Sequence, residues 1–84
     1  MNSYKLSNTP LSTFRDYLAY EGWSKSEQNR GGGHEKWIKT GSLRPVILQT
    51  HIDPVPEFII KSNLRTMGVA RKDFLEWLRN RVTI

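Results

Sequence analysis

The 84-residue sequence predicts an α+β domain in which a helix is followed by a three-stranded antiparallel sheet and then by two helices. Apolar residues recur at three- and four-residue spacing near both ends of the chain, as they do in helices that bury one face. Between these segments, short apolar runs are separated by glycine and serine, a pattern typical of short strands. A chain of this length has room for one hydrophobic core, so we expect a single domain over residues 1–84.

The first helix is predicted over residues 10–20. We expect Thr9 to cap its first turn, with Pro10 at the first helical position, because a hydroxyl oxygen there accepts a free backbone N–H. Gly22 is expected to end the helix with a positive φ angle. The residues predicted to face inward are Leu11, Phe14, Tyr17 and Leu18.

Three strands are predicted over residues 23–28, 35–39 and 45–49, with a turn at 40–42. Consecutive side chains in a strand point to opposite faces of the sheet. One face of the second strand therefore carries His34, Lys36 and Ile38, and the other carries Glu35, Trp37 and Lys39. The sequence leaves open which of these faces the helices cover.

Two further helices are predicted, one that follows residues 53–56 and ends at Gly68, and one over about 70–81. Each has apolar residues at helical spacing. The residues predicted to face inward are Phe58, Ile59, Leu64 and Met67 in the first of these helices, and Phe74, Leu75, Trp77 and Leu78 in the second.

The formal charge of +5, from 13 basic and 8 acidic residues, is unevenly distributed. Basic residues cluster within 22–51 and within 61–84, and such clusters favour a polyanion because its counterions are released on binding. A basic surface also serves solubility alone. The absence of cysteine excludes disulfides and fits a cytoplasmic protein, and the lack of a long apolar run argues against a membrane partner.

Three consecutive glycines, Gly31 to Gly33, immediately precede His34. Glycine lets the backbone approach a ligand closely and leaves the following imidazole unshielded. This run is typical of a hairpin loop, and it also suits a turn whose amides hold a phosphate beside a group that moves a proton.

Several short motifs occur in a fixed order along residues 11–80. They are Gly22-Trp23, Gly32-Gly33-His34, Thr50-His51, Pro54 to Pro56, Leu64-Arg65, Met67-Gly68-Val69 and Arg71 to Leu75. This ordered set resembles the HicA-type toxins of bacterial toxin–antitoxin modules. One departure is Gly33, which stands where those toxins usually have a serine.

The resemblance implies a fold like that of double-stranded RNA-binding domains and an endoribonuclease activity on mRNA. It implies a protein that is a monomer when free and a hetero-oligomer when a HicB-like antitoxin blocks it. The functional histidine of the family corresponds to His34. No cofactor is expected, because RNA carries its own nucleophile in the 2′-hydroxyl and needs no metal for slow cleavage. We expect His34 to accept the 2′-hydroxyl proton or to donate one to the leaving 5′-oxygen.

Cations near the histidine are expected to stabilise charge on the phosphate. Those nearest in sequence are Arg30 and Lys36, with Lys25 on the neighbouring strand. The residues predicted to bind RNA are Lys25, Arg30, Gly32, Gly33, Lys36 and Lys39. Trp37 either stacks on a base or belongs to the core, as we expect for Trp23 and Trp77.

The second histidine, His51, lies before a proline-rich turn, and we expect it to be structural rather than catalytic. A zinc site formed by His34, His51 and Asp53 lacks a recognisable ligand spacing, so we predict no metal site. Two other functions stay open on the same fold. One is a non-catalytic RNA-binding module, and the other is a module that docks an acidic protein.

Overall fold

The structure, a computed structural model, describes residues 6–27 and 32–82. It confirms the α+β order, with an antiparallel sheet of strand order β1, β2, β3 between one helix and two others. A 3₁₀ turn that the sequence did not predict precedes the first helix at Leu6–Asn8. The element bounds are α1 Leu11–Tyr20, β1 Ser24–Lys25, β2 His34–Ile38, β3 Val46–Gln49, α2 Glu57–Met67 and α3 Arg71–Val82.

The core forms where apolar residues of the three helices pack with the sheet. All four residues predicted to face inward from α1 are buried, as are Phe74 and Leu78 of α3. The ring of Phe74 packs edge-on against Tyr17, with centroids 4.7 Å apart, and against Phe14 at 5.6 Å. Aromatic pairs in this geometry add to the free energy gained by burying their area.

The N-terminus of α1 is capped differently from the prediction. Pro10 precedes the helix, and the backbone N–H of Leu11 donates to Asp53 Oδ1 at 3.0 Å. The side chain of Thr9 is buried instead, and its backbone carbonyl accepts a bond from the N–H of Val55 at 2.9 Å. The predicted threonine cap is therefore wrong, because the free N–H of Leu11 donates to a carboxylate that is distant in sequence.

The predicted glycine stops of α1 and α2 are confirmed. Gly22 has φ of 93° and Gly68 has φ of 73°, in the region that favours glycine. After α2, the N–H of Val69 donates to the carbonyl of Leu64 at 3.0 Å, and α1 ends with the matching bond from Trp23 to Leu18 at 2.9 Å. These bonds satisfy carbonyls that a helix end leaves free.

Helix α2 is rotated relative to the predicted stripe. Phe58, predicted to face inward, is 71% exposed, whereas Ile60 is fully buried. Leu64 is buried as predicted, and Ile59 and Met67 are partly buried against the core. The error arose because Phe58 and Ile60 lie on opposite sides of the helix, and docking rather than hydrophobicity selects the inward side.

The register of the sheet decides which face of β2 is covered. Glu35 pairs with Leu48 and Trp37 with Val46, and all four residues are buried beneath the helices. The other face carries the pairs His34 with Gln49 and Lys36 with Ile47. Both His34 and Ile47 are exposed, so this open face is the one that carries the candidate histidine.

Candidate nucleic-acid interface

His34 is the first residue of β2 and projects from the open face of the sheet. The turn before it is held in place because the carbonyl of Gly33 accepts a bond from the N–H of Thr50 at 2.9 Å. Gly32 is exposed beside it, and Arg30 and Gly31 lie outside the described residues. The structure thus presents the imidazole to solvent next to an exposed backbone segment.

The glycine that precedes His34 is required by the local structure. Gly33 has φ of 96°, an angle that residues with side chains rarely adopt. A Cβ at this position would also lie 3.2 Å from Nδ1 of His51. The second histidine therefore sits against the turn that leads to His34, a proximity that the sequence did not predict. Glycine at position 33 has no Cβ, so it avoids this close contact with the imidazole of His51.

A buried carboxylate next to His34 fixes β2 to α1. Arg15 donates two hydrogen bonds to Glu35, at 2.7 and 3.1 Å, and Trp37 Nε1 donates a third at 2.9 Å. Lys25 Nζ lies 3.6 Å from the same carboxylate. Burial acts to raise the pKa of Glu35, but the hydrogen bonds from Arg15 and Trp37 and the nearby positive charges hold it below its ordinary value. The strand end that carries His34 is thereby tied to the helix layer.

This arrangement separates several predicted site residues from His34. Lys25 pairs in register with Trp37 on the covered face and neutralises Glu35, so its ammonium lies on the side of the sheet away from His34. Trp37 is only 8% exposed, so the base-stacking interpretation is wrong and the core interpretation holds. Trp23 is also buried, whereas Trp77 lies partly buried at the margin of the core.

The two other predicted lysines differ in their relation to the histidine. Lys36 is half-buried on the same face of β2 as His34. Lys39 follows the opposite end of the strand, about 17 Å along the chain from His34 at about 3.3 Å per residue. Its Cε lies 3.4 Å from where a Cβ on Gly22 would be. Of the predicted cations in the described chain, the structure brings only Lys36 close to the histidine.

His34 opens onto a groove between β3 and α2, which we name the β3–α2 groove. Its first part has a volume of about 370 Å³. Asn63 holds the two walls together, since its Nδ2 donates to the carbonyl of Ile47 at 3.4 Å. The lining residues are His34, Arg44, Pro45, Ile47, Gln49, Ile59, Ser62, Asn63 and Thr66.

The groove continues into a second part of about 470 Å³, because both parts share Arg44, Ser62 and Thr66. This second part runs along the turn between β2 and β3 and ends at Arg65 on α2. Neither Arg44 nor Arg65 was among the predicted site residues. The signal in the sequence was weak, because these residues come together only when α2 docks on β3.

The described residues contain no group of three histidine, cysteine, aspartate or glutamate side chains placed to hold a metal ion. None of the helices in the described ranges has the length and apolar character that a membrane span requires.

Comparison of the chain with models of known protein families, with curated proteins and with solved structures gave no match.

Proposed function

We propose that this chain is the toxin of a type II toxin–antitoxin system, an endoribonuclease that cleaves mRNA without a metal ion. The observation that carries the proposal is the position of His34, exposed at one end of a groove that also contains Arg44. An imidazole, which can accept or donate a proton, thus lies in the same concave surface as a guanidinium. The motif order that resembles HicA-type toxins supports the same function.

The reaction that fits this site is transphosphorylation within the RNA. The 2′-oxygen forms a bond to phosphorus and the bond from phosphorus to the 5′-oxygen breaks. Neutral His34 accepts the 2′-hydroxyl proton while water protonates the leaving 5′-oxygen, or protonated His34 protonates the 5′-oxygen while water accepts the 2′-hydroxyl proton. A guanidinium stabilises the charge that builds on the phosphate. The products are a 2′,3′-cyclic phosphate and a 5′-hydroxyl.

The proposed setting is the cytoplasm, where the free toxin is a monomer and a HicB-like antitoxin binds it as a hetero-oligomer. An antitoxin that covers the open face of the sheet would close access to His34. The mixed surface of that face, with Ile38 and Ile47 exposed beside Lys36, suits a protein partner that carries both apolar and acidic side chains.

One observation favours the alternative of a non-catalytic RNA-binding module. Among the residues that line the β3–α2 groove, His34 is the one histidine, and no carboxylate lines it. Rapid cleavage requires both a base and an acid, so a single histidine supports slow turnover at most. An RNA-binding module requires no proton transfer at all.

Growth inhibition in bacteria separates the two functions. We expect expression of the wild-type chain to arrest growth and deplete mRNA, and expression of His34→Ala at equal level to do neither. Phe58→Ala is the matched control, because Phe58 is 71% exposed and lines neither part of the β3–α2 groove. Growth arrest that persists in the His34→Ala strain would refute the nuclease proposal and favour the binding module.

A further inference from the structure

We infer that a single RNA strand binds along the β3–α2 groove, with its phosphates on Arg44 and Arg65 and its scissile phosphate beside His34. This inference rests on the proposed function for the identity of the ligand as RNA. The path of the RNA strand is inferred from the two joined parts of the groove, which run from His34 past Arg44 to Arg65.

The lining residues of each wall recur at the spacing of one face of a helix or a strand. On α2 the lining residues Ile59, Ser62, Asn63 and Thr66 are separated by three, one and three positions, which places them on one side of the helix. On the opposite wall, residues 45, 47 and 49 alternate along β3. The chain from Gln49 back to Arg44, two residues before β3, is about 17 Å long at the rise of an extended strand. A stacked strand advances about 3.4 Å per nucleotide, so the groove holds several nucleotides.

The charges of the groove select an anion. Arg44 and Arg65 are exposed, and neither guanidinium is ion-paired within residues 6–27 and 32–82. By contrast, the cations Arg15, Lys25 and Arg81 are each engaged by a carboxylate elsewhere on the molecule. No acidic side chain lines either part of the groove. The two arginines thus keep their positive charge available for phosphates.

A second cavity provides an internal comparison. It lies between α1 and α3, has a volume of about 410 Å³, and is lined by the carboxylates of Glu21, Asp73 and Glu76 beside aromatic rings. Three carboxylates repel a phosphodiester backbone. The field of the molecule therefore directs a nucleic acid to the β3–α2 side rather than to this aromatic cavity.

The lining also predicts how the strand is recognised. Ile47 and Ile59 offer apolar contact to bases or sugars, but no phenylalanine, tyrosine or tryptophan lines either described part of the groove. Stacking on aromatic rings is a main source of affinity in many proteins that bind single strands. Without it, binding depends chiefly on phosphate contacts, so we expect a steep salt dependence and weak sequence preference.

The test measures binding of a fluorescent single-stranded RNA whose 2′-hydroxyls are methylated, which prevents cleavage. The groove variant is Arg44→Gln with Arg65→Gln, and the matched control is Arg71→Gln with Lys72→Gln at the start of α3. Both variants remove two positive charges from exposed positions, so they share the same change in net charge. Affinity is measured by fluorescence anisotropy over a salt series, after each variant has been confirmed folded by circular dichroism.

We expect the groove variant to bind about tenfold or more weakly in low salt, and its salt slope to fall by about 1.4, the value for two lost contacts with a single strand. The control is expected to keep most of the wild-type slope. Equal losses in the two variants, or a wild-type protein that does not bind, would overturn the inference. Wild-type binding through the groove without cleavage of ordinary RNA would refute the proposed nuclease function alone.

Discussion

The residues around His34 show how a small domain holds an exposed histidine at the end of a strand. Glu35, its neighbour in β2, is 4% exposed and remains ionised because Arg15, Trp37 and Lys25 surround it. Burial of a lone carboxylate would be costly, so the hydrogen bonds are what make this arrangement stable. The strand end is therefore held by its covered face while the opposite face stays open for a ligand.

Replacing Glu35 by glutamine should weaken this attachment. We expect Glu35→Gln to lower the free energy of unfolding at pH 7 by about 1–3 kcal/mol, since the buried carboxylate loses its charge-assisted bonds to Arg15. The pKa of Glu35 is lowered in the folded state, so its contribution is present above the ordinary carboxyl pKa and is lost as pH falls through the folded value. Urea unfolding at several pH values measures both effects. If the free energy of unfolding of Glu35→Gln fell in acid as steeply as that of the wild type, this role would be contradicted.

Position 33 provides a second prediction at the scale of one residue. Gly33→Ser introduces the residue that HicA-type toxins usually have, but here it meets a positive φ angle and the imidazole of His51. We expect the free energy of unfolding to fall by about 1–3 kcal/mol from backbone strain. Gly32→Ser is the control, because a Cβ at Gly32 would meet nothing within 4 Å. Thermal unfolding of both variants measures the difference, and equal stability would contradict it.

At the scale of helices and strands, the sequence predicted the features that depend on a local pattern of residues. The apolar stripes of α1 and α3 were predicted correctly, as were the positions of β2 and β3 to within one residue at each end. The covered face of the sheet was not predictable, because alternation defines two faces but only packing selects one. The outward position of Phe58 has the same origin, since both sides of α2 carry apolar residues.

The cap of α1 illustrates a contact that no local pattern reveals. Asp53 lies 42 residues from Leu11 in sequence, yet it accepts that residue's backbone N–H. We expect Asp53→Ala to lower the free energy of unfolding by about 1 kcal/mol, as removal of a cap usually does. Thr9→Ala is the informative comparison. If the Thr9 hydroxyl capped the helix, Thr9→Ala would remove that bond. Thr9 Oγ1 instead has no hydrogen-bond partner among residues 6–27 and 32–82. Chemical denaturation followed by circular dichroism measures both, and an unchanged Asp53→Ala protein would contradict the assignment.

At the scale of the whole molecule, charge and shape act together. The net charge of +5 favours a polyanion in general, but several cations are neutralised by carboxylates and do not contribute to a binding site. The histidine was predictable from its glycine-rich turn, whereas Arg44 and Arg65 were not. They belong to separate elements and meet only because α2 docks against β3. The proposed site is assembled by tertiary structure, so charge counts along the chain do not locate it.

The central claim is that His34 transfers a proton during cleavage of RNA. The direct measurement incubates purified wild-type and His34→Ala proteins, both confirmed folded, with a defined single-stranded RNA in the presence of a chelator, and identifies the fragment ends. We predict fragments with 2′,3′-cyclic phosphate and 5′-hydroxyl ends from the wild-type protein and none from His34→Ala. RNA that stays intact with the wild-type protein, or that is cleaved equally by the alanine variant, would contradict the claim.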